Sequence, residues 1–209
     1  MILIENTEVF GWQAAIRGAR NPMNSWSKSD SGMVNGCDAV SGYAVGQNDL
    51  KLMQNLADAG NDHGKFMRMI TVTLDITAPL YWWKEFDTYK VGTVADSCST
   101  MHKIHAKEFT LDDFSHDKLL DAFRADLKRL IEVLNVARDK FLETKNKAFW
   151  WQMIQLLPSS YNQRRTVMLN YAVLKNIYHA RKNHKLDEWH TFCDWIETLP
   201  YSELITGRH

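Results

Sequence analysis

The sequence has 209 residues, of which 45% are hydrophobic and 24% charged, as is usual for a globular protein able to bury a sizeable core. Its 25 Lys and Arg residues balance 25 Asp and Glu residues. The formal net charge of zero argues against the strong basic field that binds nucleic acid or an anionic membrane surface, so neither DNA nor a membrane is an expected partner. For this length we expect a single domain over residues 1–209.

The three cysteines favour a reducing compartment over a disulfide framework, because Cys37, Cys98 and Cys193 are odd in number and far apart. The apolar opening ends at Glu5, too early for a signal peptide. No apolar run approaches the length of a membrane span. We therefore expect a cytoplasmic protein.

The first quarter of the chain predicts a strand over residues 1–5 and a helix over residues 9–20, ending near Asn21-Pro22. Residues 22–47 are rich in Gly, Ser and Asn and predict a long loop, which is either a substrate-covering lid or plain surface. A helix is predicted over residues 47–58, with Asn48 and Asp49 as its cap.

The central stretch, residues 63–102, combines a strand, a helix and a polar loop. Apolar residues alternate with polar ones at the period of a half-buried strand: Ile70, Val72, Leu74 and Ile76. Pro79 suits the first turn of an aromatic helix over residues 80–89, and a loop rich in Gly, Ser, Thr and Asp follows. Ligands commonly bind at such junctions, so we expect the functional site here.

The second half of the chain predicts helices. Thr110 and Asp113 suit a capping pair. Helices are then predicted over four ranges: residues 117–145, 147–157, 162–182 and 187–199. With few strands, one small sheet and several long helices, the fold class is α+β.

The order of these landmarks resembles the flavin-dependent thymidylate synthases over nearly the whole chain. The family's opening strand and helix resemble ILIENTEVFGWQAAIRGAR, and its H-x-S-x-x-E-H segment with the following strand resembles DHGKFMRMITVTLDI. Its C-terminal N-x-R-x-L helix resembles LPSSYNQRRTVMLNYAVLKNIYHAR. The aromatic helix and polar loop stand where the family has its signature R-H-R-x-x-S-x-N-E-x-S-x-R-Y.

The sequence departs from the family at several of these positions. His63 keeps the first histidine, but Lys65 replaces the Ser or Thr and Arg68 the Glu. In the signature, Thr88-Tyr89-Lys90 stands against Arg-His-Arg, and a one-residue shift of register moves Asp96 from the Glu to the Asn. Ala172 replaces an arginine that contacts ligand in the family. Lys65 and Arg68 are new cations that can restore phosphate binding from another direction.

The resemblance implies a flavin-dependent thymidylate synthase-like core, a homotetramer, and the reductive methylation of dUMP or a related uracil nucleotide with FAD, methylene-tetrahydrofolate and NADPH. It implies these cofactor-binding residues: His63, Lys65, Tyr89, Lys90, Asn170 and Asn176. It implies these substrate-binding residues: Glu85, Thr93, Asp96, Cys98 and Arg181. No catalytic residue is assigned, since the family needs no protein nucleophile, and no metal site is predicted.

Each candidate also has a structural interpretation. His63 either contacts flavin or makes a local turn hydrogen bond, and the residues of the 89–96 loop either contact ligand or are solvated. Arg181 either binds phosphate or caps the last carbonyls of its helix. The Trp82-Trp83 and Trp150-Trp151 pairs favour core or subunit interface over a stacking platform. A homologue that is inactive, or that binds another nucleotide or a protein partner, is the alternative function.

Overall fold

The computed structural model describes residues 1–33 and 42–207. The strands are β1 (Leu3–Phe10), β2 (Gly32–Met33), β3 (Tyr43–Ala44), β4 (Thr71–Pro79), β5 (Val94–Ser97) and β6 (Asn162–Asn170). The helices are α1 (Trp12–Arg20), α2 (Gln47–Asp58), α3 (Leu80–Phe86), α4 (Thr100–Lys103), α5 (Asp121–Thr144), α6 (Lys147–Leu156), α7 (Tyr171–Arg181), α8 (Asp187–Glu197) and α9 (Glu203–Thr206). Short 3-10 turns cover Asn21–Met23, Trp26–Lys28, Gly64–Met69 and Leu111–Asp113.

The main sheet has four strands in the order β1-β4-β6-β5, and β2 pairs antiparallel with β3 in a second, two-stranded sheet. The alternation predicted for β4 is confirmed, because Val72, Leu74 and Ile76 are buried while the intervening residues are half-buried. This small sheet among many helices confirms the α+β class. Within the described ranges, no helix is both long and apolar enough to cross a membrane.

The chain divides into two compact units. The first unit comprises Met1–Leu3, Ile76–Thr88 and Asp96–Arg165, and the second comprises Ile4–Asp75, Tyr89–Ala95 and Thr166–His209. Single-domain organisation over residues 1–209 stays a prediction. In the first unit α5 packs on α6, and buried Phe109 and Phe114 belong to the same core cluster as Met153 of α6. Trp82 and Trp83 are fully buried there, which confirms the prediction that this pair belongs to the core and is not a stacking platform.

The second unit is built mainly from helices. Helices α1, α2 and α7 contact the Gly64–Met69 turn, and helices α8 and α9 pack on α7. The Trp12 ring packs edge-to-face with the rings of Tyr171 and Tyr201, at centroid distances of 5.3 Å and 5.0 Å. Aromatic edge-to-face packing of this kind stabilises a core beyond the area it buries.

The helix predicted over residues 162–182 is wrong in its first half. Residues 162–170 form β6, in which Gln163, Val167 and Leu169 are buried while Thr166 and Met168 are exposed. The sequence here supports both a strand and a helix period, and pairing with β4 on one side and β5 on the other decides for the strand. The helix proper begins at Tyr171, after Asn170.

Several other boundaries also differ from the predictions. β1 extends to Phe10, and the first helix begins at Trp12 rather than Val9, because Gly11 turns the chain with φ 96° where a Cβ would lie 1.9 Å from the Met69 carbonyl oxygen. α3 ends at Phe86, and β5 lies within the predicted polar loop. The described part of the predicted 22–47 loop holds two 3-10 turns and the strands β2 and β3, and residues 34–41 lie outside the described ranges.

The predicted cap of α2 is wrong, although its bounds are confirmed. Gly46 is the N-cap, and the Asp30 carboxylate accepts hydrogen bonds from the backbone N–H groups of Asn48 (2.9 Å) and Asp49 (3.1 Å). The Thr110–Asp113 capping pair is confirmed in full.

Candidate functional site

Asn170, the N-cap residue of helix α7, contacts both the first turn of that helix and the loop at Gly92. Asn170 ends β6, and its Oδ1 accepts a hydrogen bond from the Val173 N–H at 3.1 Å, as an N-cap should. Its Nδ2 faces Gly92, where a Cβ would lie 2.9 Å from Nδ2 and 3.2 Å from Val173 Cγ2. Because Gly92 also has φ 80°, only glycine lets the Tyr89–Ala95 loop approach α7 this closely.

The last residue of α7 holds the other end of the same loop. Arg181 Nε donates a hydrogen bond to Tyr89 Oη at 2.8 Å. The guanidinium also lies over the Trp189 ring, 4.8 Å from its centroid, and 5.5 Å from that of Tyr89. Arg181, predicted as a phosphate ligand, thus fastens the loop through Nε and through its stacked face.

Between these two anchors a cleft of about 600 Å³ opens along α7. It is lined by Asn61, Arg68, Val91, Gly92, Asn170, Ala172, Val173, Lys175, Asn176 and His179. Among the lining residues of this described cleft two carry a full positive charge and none is a carboxylate. The lining is therefore suited to an anionic ligand that also has an apolar part.

Of the predicted cofactor residues, Asn170 and Asn176 line this cleft, while Tyr89 and Lys90 adjoin its wall at Val91 and Gly92. His63 and Lys65 are exposed and do not line it. His63 makes a local turn hydrogen bond, in which its backbone N–H donates to the Gly60 carbonyl at 3.1 Å.

The predicted substrate residues fall into two groups. Thr93 follows Gly92 in the second unit, and its Oγ1 is buried with no hydrogen-bond partner in the described structure. Glu85, Asp96 and Cys98 belong to the first unit. There Glu85 is half-buried on α3, and the backbone of exposed Cys98 donates to the Arg164 carbonyl at 2.9 Å.

Asn61, Lys175 and His179 were missed as candidates. The signal was available on α7, since Ala172, Lys175, Asn176 and His179 follow one helix face at offsets of three, four and seven. The first turn of α7 begins only at Tyr171, inside the range for which the sequence predicts one continuous helix. Asn61 lies in the turn after α2 and carries no sequence signal of its own.

Arg165 has a structural role in the first unit. Arg165 pairs with Asp87 at 2.7 Å and lies 4.1 Å from the centroid of the Trp83 ring. Arg165 is therefore structural, whereas its neighbour Arg164 is exposed. In the part of the chain that is described, no group of three or more His, Cys, Asp or Glu side chains is placed to hold a metal ion.

No protein-family model and no curated protein sequence matches this chain. Solved structures do match its fold. Thymidylate synthase ThyX from Helicobacter pylori, solved with FAD and dUMP, has a TM-score of 0.71 at 14% identity, over 99% of this chain and 96% of that one. The UMP/dUMP methylase PolB from Streptomyces cacaoi, bound with 5-Br dUMP, has a TM-score of 0.62 at 12% identity, over 99% and 95% of the two chains. This chain therefore has the fold of the flavin-dependent thymidylate synthases.

Proposed function

We propose that this protein is an FAD-dependent enzyme that reductively methylates dUMP, or a related uracil nucleotide, with methylene-tetrahydrofolate and NADPH. The supporting observation is the carboxylate-free, cationic cleft along α7, within a fold whose solved examples include one with FAD and dUMP. Fold alone does not transfer an activity, so the proposal depends on the chemistry of this cleft.

The cleft residues suit a flavin nucleotide. Arg68 and Lys175 offer charge to phosphate, and Val91, Ala172 and Val173 offer apolar surface to an aromatic ring. When bound, the flavin supplies hydride-transfer chemistry, and the chain binds and orients it.

The proposed roles start from the sequence-based assignments and keep the residues that line or adjoin the cleft. The cofactor side comprises Tyr89, Lys90, Asn170 and Asn176, whereas His63 and Lys65, grouped with them by the resemblance, are exposed and do not line it. The substrate side comprises Glu85, Thr93, Asp96, Cys98 and Arg181. Thr93 has the sharpest individual support, because a buried hydroxyl with no described partner is costly and suits a ligand acceptor or donor.

We propose a cytoplasmic homotetramer as the working form. Helix α5 exposes Val133 by 50% and Val136 by 56%, one turn apart on one face, and such a surface suits contact with a second copy. Light scattering after gel filtration should give a multiple of the 24.3 kDa chain mass, and a Val133→Glu, Val136→Glu double variant should lower it. A wild-type protein that elutes as a monomer contradicts this part.

The function is tested first by the visible absorbance spectrum of the purified protein, before and after incubation with FAD and desalting. A retained flavin spectrum is expected, and dUMP together with methylene-tetrahydrofolate should then make NADPH oxidation faster. A flat spectrum after saturating FAD would remove the redox mechanism.

A repurposed homologue is the second candidate function. It is favoured by Ala172, which lines the cleft where the family carries a ligand-contacting arginine, and by Tyr89, whose hydroxyl is already bonded to Arg181. Such a protein should stay colourless and show no thermal shift with dUMP.

A further inference from the structure

Two cations of the α7 cleft come from different elements and differ in how they are held. Arg68 belongs to the Gly64–Met69 turn, is exposed, and makes no ion pair within residues 1–33 and 42–207. Lys175 lies in the middle of α7, half-buried. Both line the same cleft.

A hydrogen bond to the backbone of α2 fixes the direction of the Lys175 side chain. Its Nζ donates a hydrogen bond of 2.7 Å to the Ala57 carbonyl, in the last turn of α2. A carbonyl there lacks a helical partner and carries the negative end of the helix dipole, so the ammonium is anchored. An ammonium group has three N–H donors, and two remain for a ligand.

The chemistry around the pair selects an anion. The amides of Asn61 and Asn176 add neutral donors, and none of the cleft residues is an acid that would neutralise Arg68 or Lys175. A guanidinium can bind two phosphate oxygens at once, while an ammonium adds a point charge. One guanidinium can pair with both oxygens of a carboxylate ligand, whereas a phosphate or diphosphate has enough oxygens to bind both cations.

We infer that Arg68 and Lys175 form the phosphate subsite of this cleft, and that it takes the phosphate or diphosphate of a nucleotide ligand. This rests on the proposed function for the identity of the nucleotide as a flavin. Lys65, three residues before Arg68 on the same turn, is exposed but does not line the cleft. Lys65 therefore contributes no contact to this subsite, although sequence pattern placed both cations near phosphate.

The test compares FAD, FMN and riboflavin, since riboflavin has the ring but no phosphate. For each flavin, binding is measured by fluorescence titration on the wild type and on Arg68→Ala, Lys175→Ala and the matched control Lys65→Ala. Arg68→Ala should weaken FAD and FMN about 10- to 100-fold and leave riboflavin within about twofold. Arg68→Lys should recover part of the loss, and Lys65→Ala should change nothing.

Equal weakening of riboflavin and FMN by Arg68→Ala would overturn the subsite, because the arginine would then act on the ring or the fold. So would unchanged FMN binding. If the wild type binds none of the three flavins, the flavin function fails, and inorganic pyrophosphate becomes the probe. A thermal shift with pyrophosphate that Arg68→Ala removes and Lys65→Ala keeps still supports the subsite, and no shift in the wild type overturns it.

Discussion

Asp49, in the first turn of α2, is the hydrogen-bond acceptor that the side chains of Arg20, Ser29 and Ser31 share. Its Oδ1 accepts from Arg20 Nε at 2.5 Å, and its Oδ2 accepts from the hydroxyls of Ser29 and Ser31, each at 2.6 Å. Burial alone would raise the pKa of Asp49, but these two hydroxyls and Arg20 outweigh it and hold the pKa below the ordinary 3.8. The aspartate is thus charged, buried and fully paired.

Replacing Asp49 by Asn should lower the free energy of unfolding by about 3 to 5 kcal/mol, because it leaves Arg20 buried without its counter-charge. The control Asp126→Asn removes an exposed pair with Arg129 and should cost less than about 1 kcal/mol. Urea denaturation at neutral pH measures both. Similar midpoints for the two variants would contradict the role given to Asp49.

The same carboxylate makes stability depend on pH. Because the folded-state pKa is lowered, its stabilisation is complete above the ordinary value of 3.8 and is lost as pH falls through the lower folded value. Between neutral pH and pH below 3.8 the wild type should therefore lose more stability than Asp49→Asn. Parallel urea titrations across that range check the sign, and equal losses would refute it.

The two cysteines of the described ranges should differ in reactivity. Burial, with smaller contributions from Asp194 and Glu197, raises the pKa of Cys193 to about 11, and its side chain is only 4% exposed. Cys98 is exposed. Iodoacetamide at mildly alkaline pH, mapped by peptide mass spectrometry, should label Cys98 and spare Cys193 until the protein is denatured. Rapid labelling of native Cys193 would contradict this burial.

At the scale of elements, the Tyr89–Ala95 loop and α7 define the cleft together. The loop is fastened at Gly92 against the first turn of α7 and at Tyr89 against its last residue. The cleft lies between these anchors, so its width depends on the loop as much as on the helix. A change in the loop should therefore alter binding more than folding.

Gly92→Ala should weaken FAD binding at least tenfold, because its Cβ would collide with Asn170 Nδ2 and Val173 Cγ2 and push the loop from α7. The matched control is Gly207→Ala, which also has positive φ (88°) but meets no atom within 4 Å. Each should cost about 1 kcal/mol of stability through backbone strain. Fluorescence titration and thermal melting separate the two effects, and equal FAD affinities would contradict the close approach.

At the scale of the whole molecule, ligand binding and folding are linked by mass action. A ligand at one hundred times its dissociation constant stabilises the folded state by about 2.7 kcal/mol. For a chain of 209 residues that corresponds to a rise in melting temperature of about 5 to 10 °C. Calorimetry with FAD should show this rise in the wild type and a smaller one in Arg68→Ala, and an unchanged melting temperature would contradict flavin binding.

Local sequence patterns by themselves determined several secondary-structure elements and their ends. The alternation around Val72 determined β4, Pro158 ended α6, and the Thr110–Asp113 pair formed as its spacing predicted. These features depend on side chains within a few residues of one another, where period, proline and capping rules apply directly. The order of such landmarks was also enough to indicate the fold, as the comparison with ThyX confirms.

Only the tertiary structure decided which residues meet. Residues 162–170 became β6 because neighbouring strands pair with them, and Asp49 became a buried ion-pair partner because Arg20 lies opposite. In the same way Arg68 and Lys175, 107 positions apart in the chain, line one cleft while Lys65 does not. Pairing across a sheet and convergence on a cleft depend on distances through space, and a one-dimensional pattern carries no measure of them.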